Sequence, residues 1–275
     1  MAAYGATAHT SPLASQLEAR TRDLDWTLAN YAFVANVTAL ASECDIAHSP
    51  TMSVASCRIL PTLGLTFVGD SAELLSTYAA FLADPGSEVL LQVNEEQRAT
   101  AERAFSVISV TPRWQMVYRG TPGDLPQLPL AHTEGARTRH IEALVNGDLV
   151  AVQALAEAEA IPLPLMIGVE PFQQGPAYGI WDRRRLIAMG LTAVRLPGAA
   201  QINAIVTRKE FRRQGYATAI VAALVQAHLA QGRSVFTVVD QDNRVGLAFL
   251  EKLGFGCERP MYAMRCSLRG ADKAG

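Results

Sequence analysis

Residues 201–218, QINAIVTRKEFRRQGYAT, combine residue types and an order that suit a bound anion. Arg212 and Arg213 bring positive charge. Gly215 and the small Ala217 let an anion approach the backbone, and an apolar helix follows at once. The first amides of a helix have no internal acceptor and carry the positive end of its dipole, so a phosphate is the natural guest. The spacing Arg212-x-x-Gly215-x-Ala217 is not a P-loop, because no Gly-Lys-Ser/Thr follows. It also lacks the three glycines of the dinucleotide fingerprint.

A second patterned stretch lies downstream. Residues 234–240, SVFTVVD, read as a buried strand, and residues 242–255, DNRVGLAFLEKLGF, read as a short helix. Asn243 or Asp242 can cap it and Gly254 can end it. The first pattern resembles the Arg/Gln-x-x-Gly-x-Gly/Ala loop of the GNAT acetyltransferases, which holds the pyrophosphate of acetyl-coenzyme A. The second resembles the family's Asn-x-x-Ala-x-x-Leu-Tyr-x-x-x-Gly-Phe segment, with Asn243, Gly254 and Phe255 on matching positions. The resemblance covers residues 175–266. One position departs from it: the family's tyrosine, seven residues after the asparagine, is Leu250, which cannot protonate a departing thiolate.

The resemblance implies an acetyl-CoA-dependent N-acetyltransferase acting on a primary amine of a small molecule or amino-acid-like acceptor. It implies that the strand before the loop splays from its neighbour. Ile205, Val206 and Thr207 would then pair with the pantetheine arm, and one of their amides would stabilise the developing oxyanion. Gln214, Gly215, Tyr216, Ala217 and Thr218 would offer amides to the pyrophosphate, flanked by Arg212 and Arg213. Asn243 would hold the cofactor arm from the neighbouring helix. A general base is also needed. Glu134, His140, Glu170 and Asp240 are candidates, with Asn203 as an orienter of water and Tyr262 as a candidate acid; none stands out. With Leu250 at the tyrosine position, a non-catalytic acyl-CoA-binding module is the rival reading, and a longer acyl donor stays open.

The elements that would position these residues follow from periodicity. Ile202, Ala204 and Val206 alternate with Gln201, Asn203, Ile205 and Thr207 in a strand, and Ala217 opens a helix closed by Gly232. AYGIWD and RLIAMGLTAVRL, joined at Asp182–Arg184, read as a hairpin, and PMYAMRCSL as a last strand. ARTRHIEALV resembles a first strand, followed by a helix in NGDLVAVQALAEAEAI. Upstream, periodicity predicts a helix over 12–42, an irregular stretch at 51–69 ending in the strand LTFVGD, and helices capped by Ser71 and Asn94. EVLLQV, SVISV and RWQMVYRG read as strands. The Pro- and Gly-rich residues 120–136 read as a connection. The expected fold class is therefore α/β (α+β), a mixed and mostly antiparallel central sheet flanked by helices. It divides into a degenerate GNAT-like domain, residues 1–122, and a GNAT domain, residues 123–275. The first half would wall the acceptor pocket or form a homodimer surface.

Composition narrows the class further. The 275 residues suit two domains, and 49% hydrophobic residues can fill two cores. A net charge of −2 argues against a general nucleic-acid or anionic-membrane binder. Cys44, Cys57, Cys257 and Cys266 lack CxxC spacing, so reduced thiols and no metal site are expected, in a cytoplasmic protein. No apolar run reaches the length of a membrane span, and no signal peptide is expected.

Overall fold

A computed structural model of the chain describes residues 44–59, 62–83, 87–126, 131–134, 137–161, 172, 175–196 and 198–269. The helix expected over 12–42 lies outside them, as does Glu170. The chain forms two compact units, Met1–Val110 with Met264–Gly275, and Thr111–Ala263.

In the first unit, β1 (Cys44–His48), β2 (Met52–Ile59) and β3 (Thr62–Gly69) pair antiparallel in succession. Helix α1 (Ala72–Leu82) then leads to β4 (Val89–Asn94), which runs parallel to β3. Helix α2 (Glu95–Ala104) follows, and the strand order β1-β2-β3-β4 ends on the returning strand β12 (Phe255–Leu268). Both helices start where side-chain caps are available. Ser71 Oγ accepts from the Leu74 amide at 3.3 Å. Asn94 Oδ1 accepts from the Gln97 amide at 2.9 Å while Gln97 Oε1 accepts from the Asn94 amide at 3.0 Å, a reciprocal cap. The stretch at 51–69 is not irregular but a hairpin. Its first strand is weakly legible because Ser53, Ala55 and Ser56 carry little β preference. Gly69 ends it at φ +117, where a Cβ would stand 2.3 Å from the Thr51 carbonyl. Phe67, Val89 and Val93 on the strands and Leu75 on α1 are fully buried.

Strand β5 (Phe105–Tyr118) carries the chain from the first unit into the second as one element, although SVISV and RWQMVYRG read separately. Pro112 costs it only one N–H; its carbonyl still accepts from the Gln241 amide at 2.9 Å.

The second unit has the strand order β12-β5-β11-β10-β9-β8-β7-β6. Strands β6 (Ala131–Glu134) and β7 (Arg137–Ala143) form a hairpin, so the expected connection contains a strand. Helix α3 (Leu149–Ala158) separates β7 from β8 (Ala177–Asp182) and β9 (Arg185–Arg195). The expected hairpin at 182–184 is present, with Arg183 at φ +57 in its two-residue turn. Then come β10 (Ala199–Thr207), α4 (Tyr216–Leu229), β11 (Ser234–Asp240) and α5 (Arg244–Lys252). Neighbours from β6 to β10 pair antiparallel, β10 and β11 run parallel, and β11 pairs antiparallel with β5.

Two cores cover the two faces of this sheet. On one, Ile220, Val221, Leu224 and Val225 of α4 pack with Ile202, Ile187, Leu250 and Phe255. On the other, Val152, Leu155 and Ala156 of α3 pack with Met189, Leu191, Ala204 and Val206. Each fully buried Leu, Ile or Val side chain is worth about 1.5–3 kcal/mol, so the sheet is held rigidly from both sides. Among the described residues no helix is long and apolar enough to cross a membrane.

Candidate functional site

The site is built on β10. Its ladder to β11 runs only from Ala199–Ser234 to Gln201–Phe236 and then stops, while β11 continues beside β5 from Phe236 to Asp240. Beyond Gln201, β10 therefore keeps β9 on one side and, among the described residues, has no strand paired to it on the other.

In that stretch the strand bulges. Asn203 pairs with Leu191 and Val206 with Met189, so Ala204 and Ile205 together face the single residue Gly190. Ala204 has φ +52, rare for a residue with a Cβ, and the Asn203 Oδ1 accepts its amide at 2.7 Å. Gly190 makes the bulge possible. A Cβ there would lie 2.5 Å from Ile220 Cγ2 and 2.9 Å from Ile205 Cδ1. The bulge also overturns the simple alternation expected for this strand. Ile202 and Ile205 join the α4 core, while Ala204 and Val206 join the α3 core. The extra residue turns Ile205 to the face that strict alternation denied it.

Left-handed backbone costs a Cβ-bearing residue roughly 1–2 kcal/mol, against a smaller entropic cost of glycine in the unfolded chain. Ala204→Gly is therefore expected to raise the unfolding free energy by about 0.5 kcal/mol. Urea unfolding measures this; a loss of stability would mean that the Cβ's packing outweighs the backbone strain.

After Thr207 the chain is anchored before it turns. Arg208 is buried; its amide donates to the Ile187 carbonyl and its Nε to the Leu186 carbonyl, both at 2.9 Å. A 3-10 turn, Lys209–Phe211, follows. Arg213 at φ +63 and Gly215 at φ +80 bracket Gln214, and two such left-handed residues curl the amides toward one side. The first helical bond of α4 runs from the Ala219 amide to the Gly215 carbonyl at 3.0 Å. The amides of Tyr216, Ala217 and Thr218 precede it, at the positive end of the α4 dipole. The Tyr216 ring, fully buried, pins this end of the helix to the core. Thr207 Oγ1 and Gln214 Oε1 are buried polar atoms without a partner among the described residues. A diphosphate suits the groups present here: the first amides of α4, a glycine just before them, and Arg213 nearby in sequence.

Arg212 and Arg213, adjacent in sequence, differ in setting. Arg212 donates from Nε to the Thr207 carbonyl at 3.1 Å and from its terminal nitrogen to Glu159 at 2.5 Å. Arg213 is exposed and, among the described residues, pairs with no carboxylate. Glu159, just past α3, has no sequence signal, lying 53 residues before its partner. Arg208 and Gly190 are likewise visible only in the fold.

Asn243 sits at the start of α5, where its Oδ1 accepts the Gly246 amide at 2.9 Å. Gly246 fits the cap, since a Cβ there would meet the Asn243 side chain at 2.7 Å. Leu250 is buried in the α4 core with Tyr118 and Phe255. Asp240 is engaged by Arg113 at 2.7 Å. His140 is exposed on β7 and Tyr262 is half-buried on β12. Glu134 lies on β6, and Glu170 outside the described residues. Asn203, the bulge, Ile205–Thr207 and the 212–218 loop thus lie along one path, from β10 through the turn into α4. Among the described residues no three His, Cys, Asp or Glu side chains cluster as metal ligands.

Residues 177–262 match the FR47-like protein family. No curated protein matches the sequence. Among solved structures, a GNAT-family protein from Novosphingobium aromaticivorans superposes with a TM-score of 0.63 at 21% identity, covering 88% of this chain and 98% of its own. A GCN5-related N-acetyltransferase-like protein from Streptococcus suis gives 0.61 at 15% identity, covering 93% and 99%. A tandem GNAT protein from the clavulanic acid biosynthesis pathway gives 0.59 at 16% identity, covering 81% of each chain. The likeness to these solved structures places this chain in the GNAT fold, and the FR47-like match covers the C-terminal stretch 177–262.

Proposed function

We propose that this protein transfers an acetyl group from acetyl-coenzyme A to a primary amine of a small molecule. The observation that carries the reading is the path of β10. It leaves β11 at Gln201, bulges at Ala204, and runs into a loop whose amides open α4. A pantetheine arm can lie along the unpaired side of Ile205, Val206 and Thr207 as an added strand. Its diphosphate then reaches Gln214–Thr218, near Arg213. The donor supplies a thioester.

The chain's residues do the rest. The Ala204 amide is already taken by Asn203. An amide of Ile205–Thr207 on the side away from β9 would donate to the thioester oxygen as charge develops there. The amine nitrogen bonds to the carbonyl carbon, the carbon–sulfur bond breaks, and the nitrogen gives up a proton while the thiolate gains one. Glu134, His140, Glu170 and Tyr262 remain candidates for those proton transfers. Asp240 is instead engaged by Arg113 at 2.7 Å.

A second reading has an observation of its own. Leu250 fills a core position and offers no hydroxyl. A non-catalytic acyl-CoA-binding module would need none.

Thermal-shift titration with acetyl-coenzyme A, with adenosine diphosphate as the partial ligand, tests the first step. A ligand specific for the folded state adds about 2.7 kcal/mol at a hundred times its Kd. A clear shift, followed by thiol release with a panel of amines, supports the transferase. A shift without thiol release supports the binding module. A shift only with longer acyl-CoA esters changes the donor, and no shift with any of them refutes the site.

A further inference from the structure

The loop that opens α4 is strapped from a distant part of the second unit, and the strap involves an arginine that charge alone would assign to the diphosphate. The Glu159 side chain is only 9% exposed. Its Oε1 accepts the Lys209 amide at 3.1 Å, and its Oε2 accepts the Arg212 guanidinium. Arg212 also donates from Nε to the carbonyl of Thr207, the last residue of β10. One carboxylate therefore joins the end of α3, the end of β10 and the turn before α4. The bond to Arg212 is charge-assisted and sheltered on the glutamate side.

We propose that Glu159 is a positioning residue for the diphosphate loop, and that Arg212 acts through it to shape the loop instead of meeting the diphosphate as a free cation. The charge facing the ligand then comes from Arg213 and the α4 amides. The proposal rests on the reading of this loop as a coenzyme A site.

The sign of one measurement separates the alternatives. If Arg212 were a diphosphate ligand restrained by Glu159, Glu159→Ala would free it and tighten binding. If Glu159 positions the loop, Glu159→Ala and Arg212→Ala each weaken coenzyme A binding about tenfold by calorimetry. The double variant is then no worse than the weaker single one, because both remove the same strap. Glu159→Gln, which still accepts the Lys209 amide, recovers part of the loss. In turnover, KM for the acyl donor rises while kcat holds. Tighter binding by Glu159→Ala, additive losses, or a fall in melting temperature with unchanged Kd and KM overturns the proposal.

Amide hydrogen exchange of residues 209–218 without ligand keeps the two readings apart. Faster exchange in Glu159→Ala shows the strap whether or not the loop binds coenzyme A, and unchanged exchange removes it. Wild-type protein that keeps the strap but binds neither coenzyme A nor adenosine diphosphate refutes the site itself, and the positioning role with it.

Discussion

Gly215→Val is expected to abolish coenzyme A binding while leaving the second unit folded. Gly215 has φ +80, where a branched side chain is strained by at least about 1–2 kcal/mol. It also stands immediately before the amides of Tyr216, Ala217 and Thr218, so any side chain there crowds the approach of an anion. Losing two or three charge-assisted amide contacts removes roughly a hundredfold or more in affinity. The Tyr216, Ile220 and Leu224 side chains stay in the core, so circular dichroism should still report the helix. Gly215→Ala, with the same backbone strain but no branch, is expected to fall between. Calorimetric titration with coenzyme A checks the series, and unchanged affinity in Gly215→Val would remove the loop from the binding site.

The second large effect is a loss of stability in mild acid traced to His228. Its ring is fully buried on α4, with Nε2 2.8 Å from Thr192 Oγ1. That hydroxyl lies 2.6 Å from the Pro176 carbonyl and donates its only proton there, so it must accept the Nε2 proton. The ring is therefore neutral, with Nδ1 buried and without a partner among the described residues. Burial, with Arg233 and Arg195 nearby, lowers its pKa from 6.5 to about 4. Above pH 6.5 neither the folded nor the unfolded ring is charged, and the group adds no pH dependence. As pH falls from 6.5 toward 4 only the unfolded state takes up the proton, so stability drops by a total of about 3 kcal/mol. Urea unfolding of wild type and His228→Asn at several pH values between 7.5 and 4 measures it. The variant is expected to be less stable at neutral pH but flatter through that window. Equal slopes would mean that carboxylates with lowered pKa values, such as Asp124 and Glu88, carry the acid response alone.

The comparison of sequence with structure follows the range of the forces involved. The caps at Ser71, Asn94 and Asn243 and the turn at 182–184 rest on interactions within about four residues. Helix and strand types along residues 137–268 follow from local periodicity. The anion loop is legible for the same reason: glycine at φ +80 and the helix start depend on neighbours in sequence.

Pairing partners are not written locally. Residues 111–118 look like the end of the first half, yet pair with β11, because strand propensity names no partner. The same stretch belongs to the second compact unit, which begins inside β5 instead of at the Pro- and Gly-rich connection. The β10 bulge needs Gly190 opposite it, so alternation alone places Ile205 on the wrong face. Arg212 and Arg213 look equivalent as a dipeptide; only the approach of Glu159, from 53 residues away, divides them into a strap and an exposed cation. His228 reads as one residue of an apolar helix, and only the packing of Thr192 and Pro176 around it makes it an acid-sensitive core group. The sequence by itself determined the elements and the chemistry available on the 201–218 stretch, because propensity, caps and backbone conformation act over a few residues. The tertiary structure decided where β10 leaves β11, which cations are engaged and which strand pairs with β11, because those depend on long-range contacts whose partners the local sequence does not name.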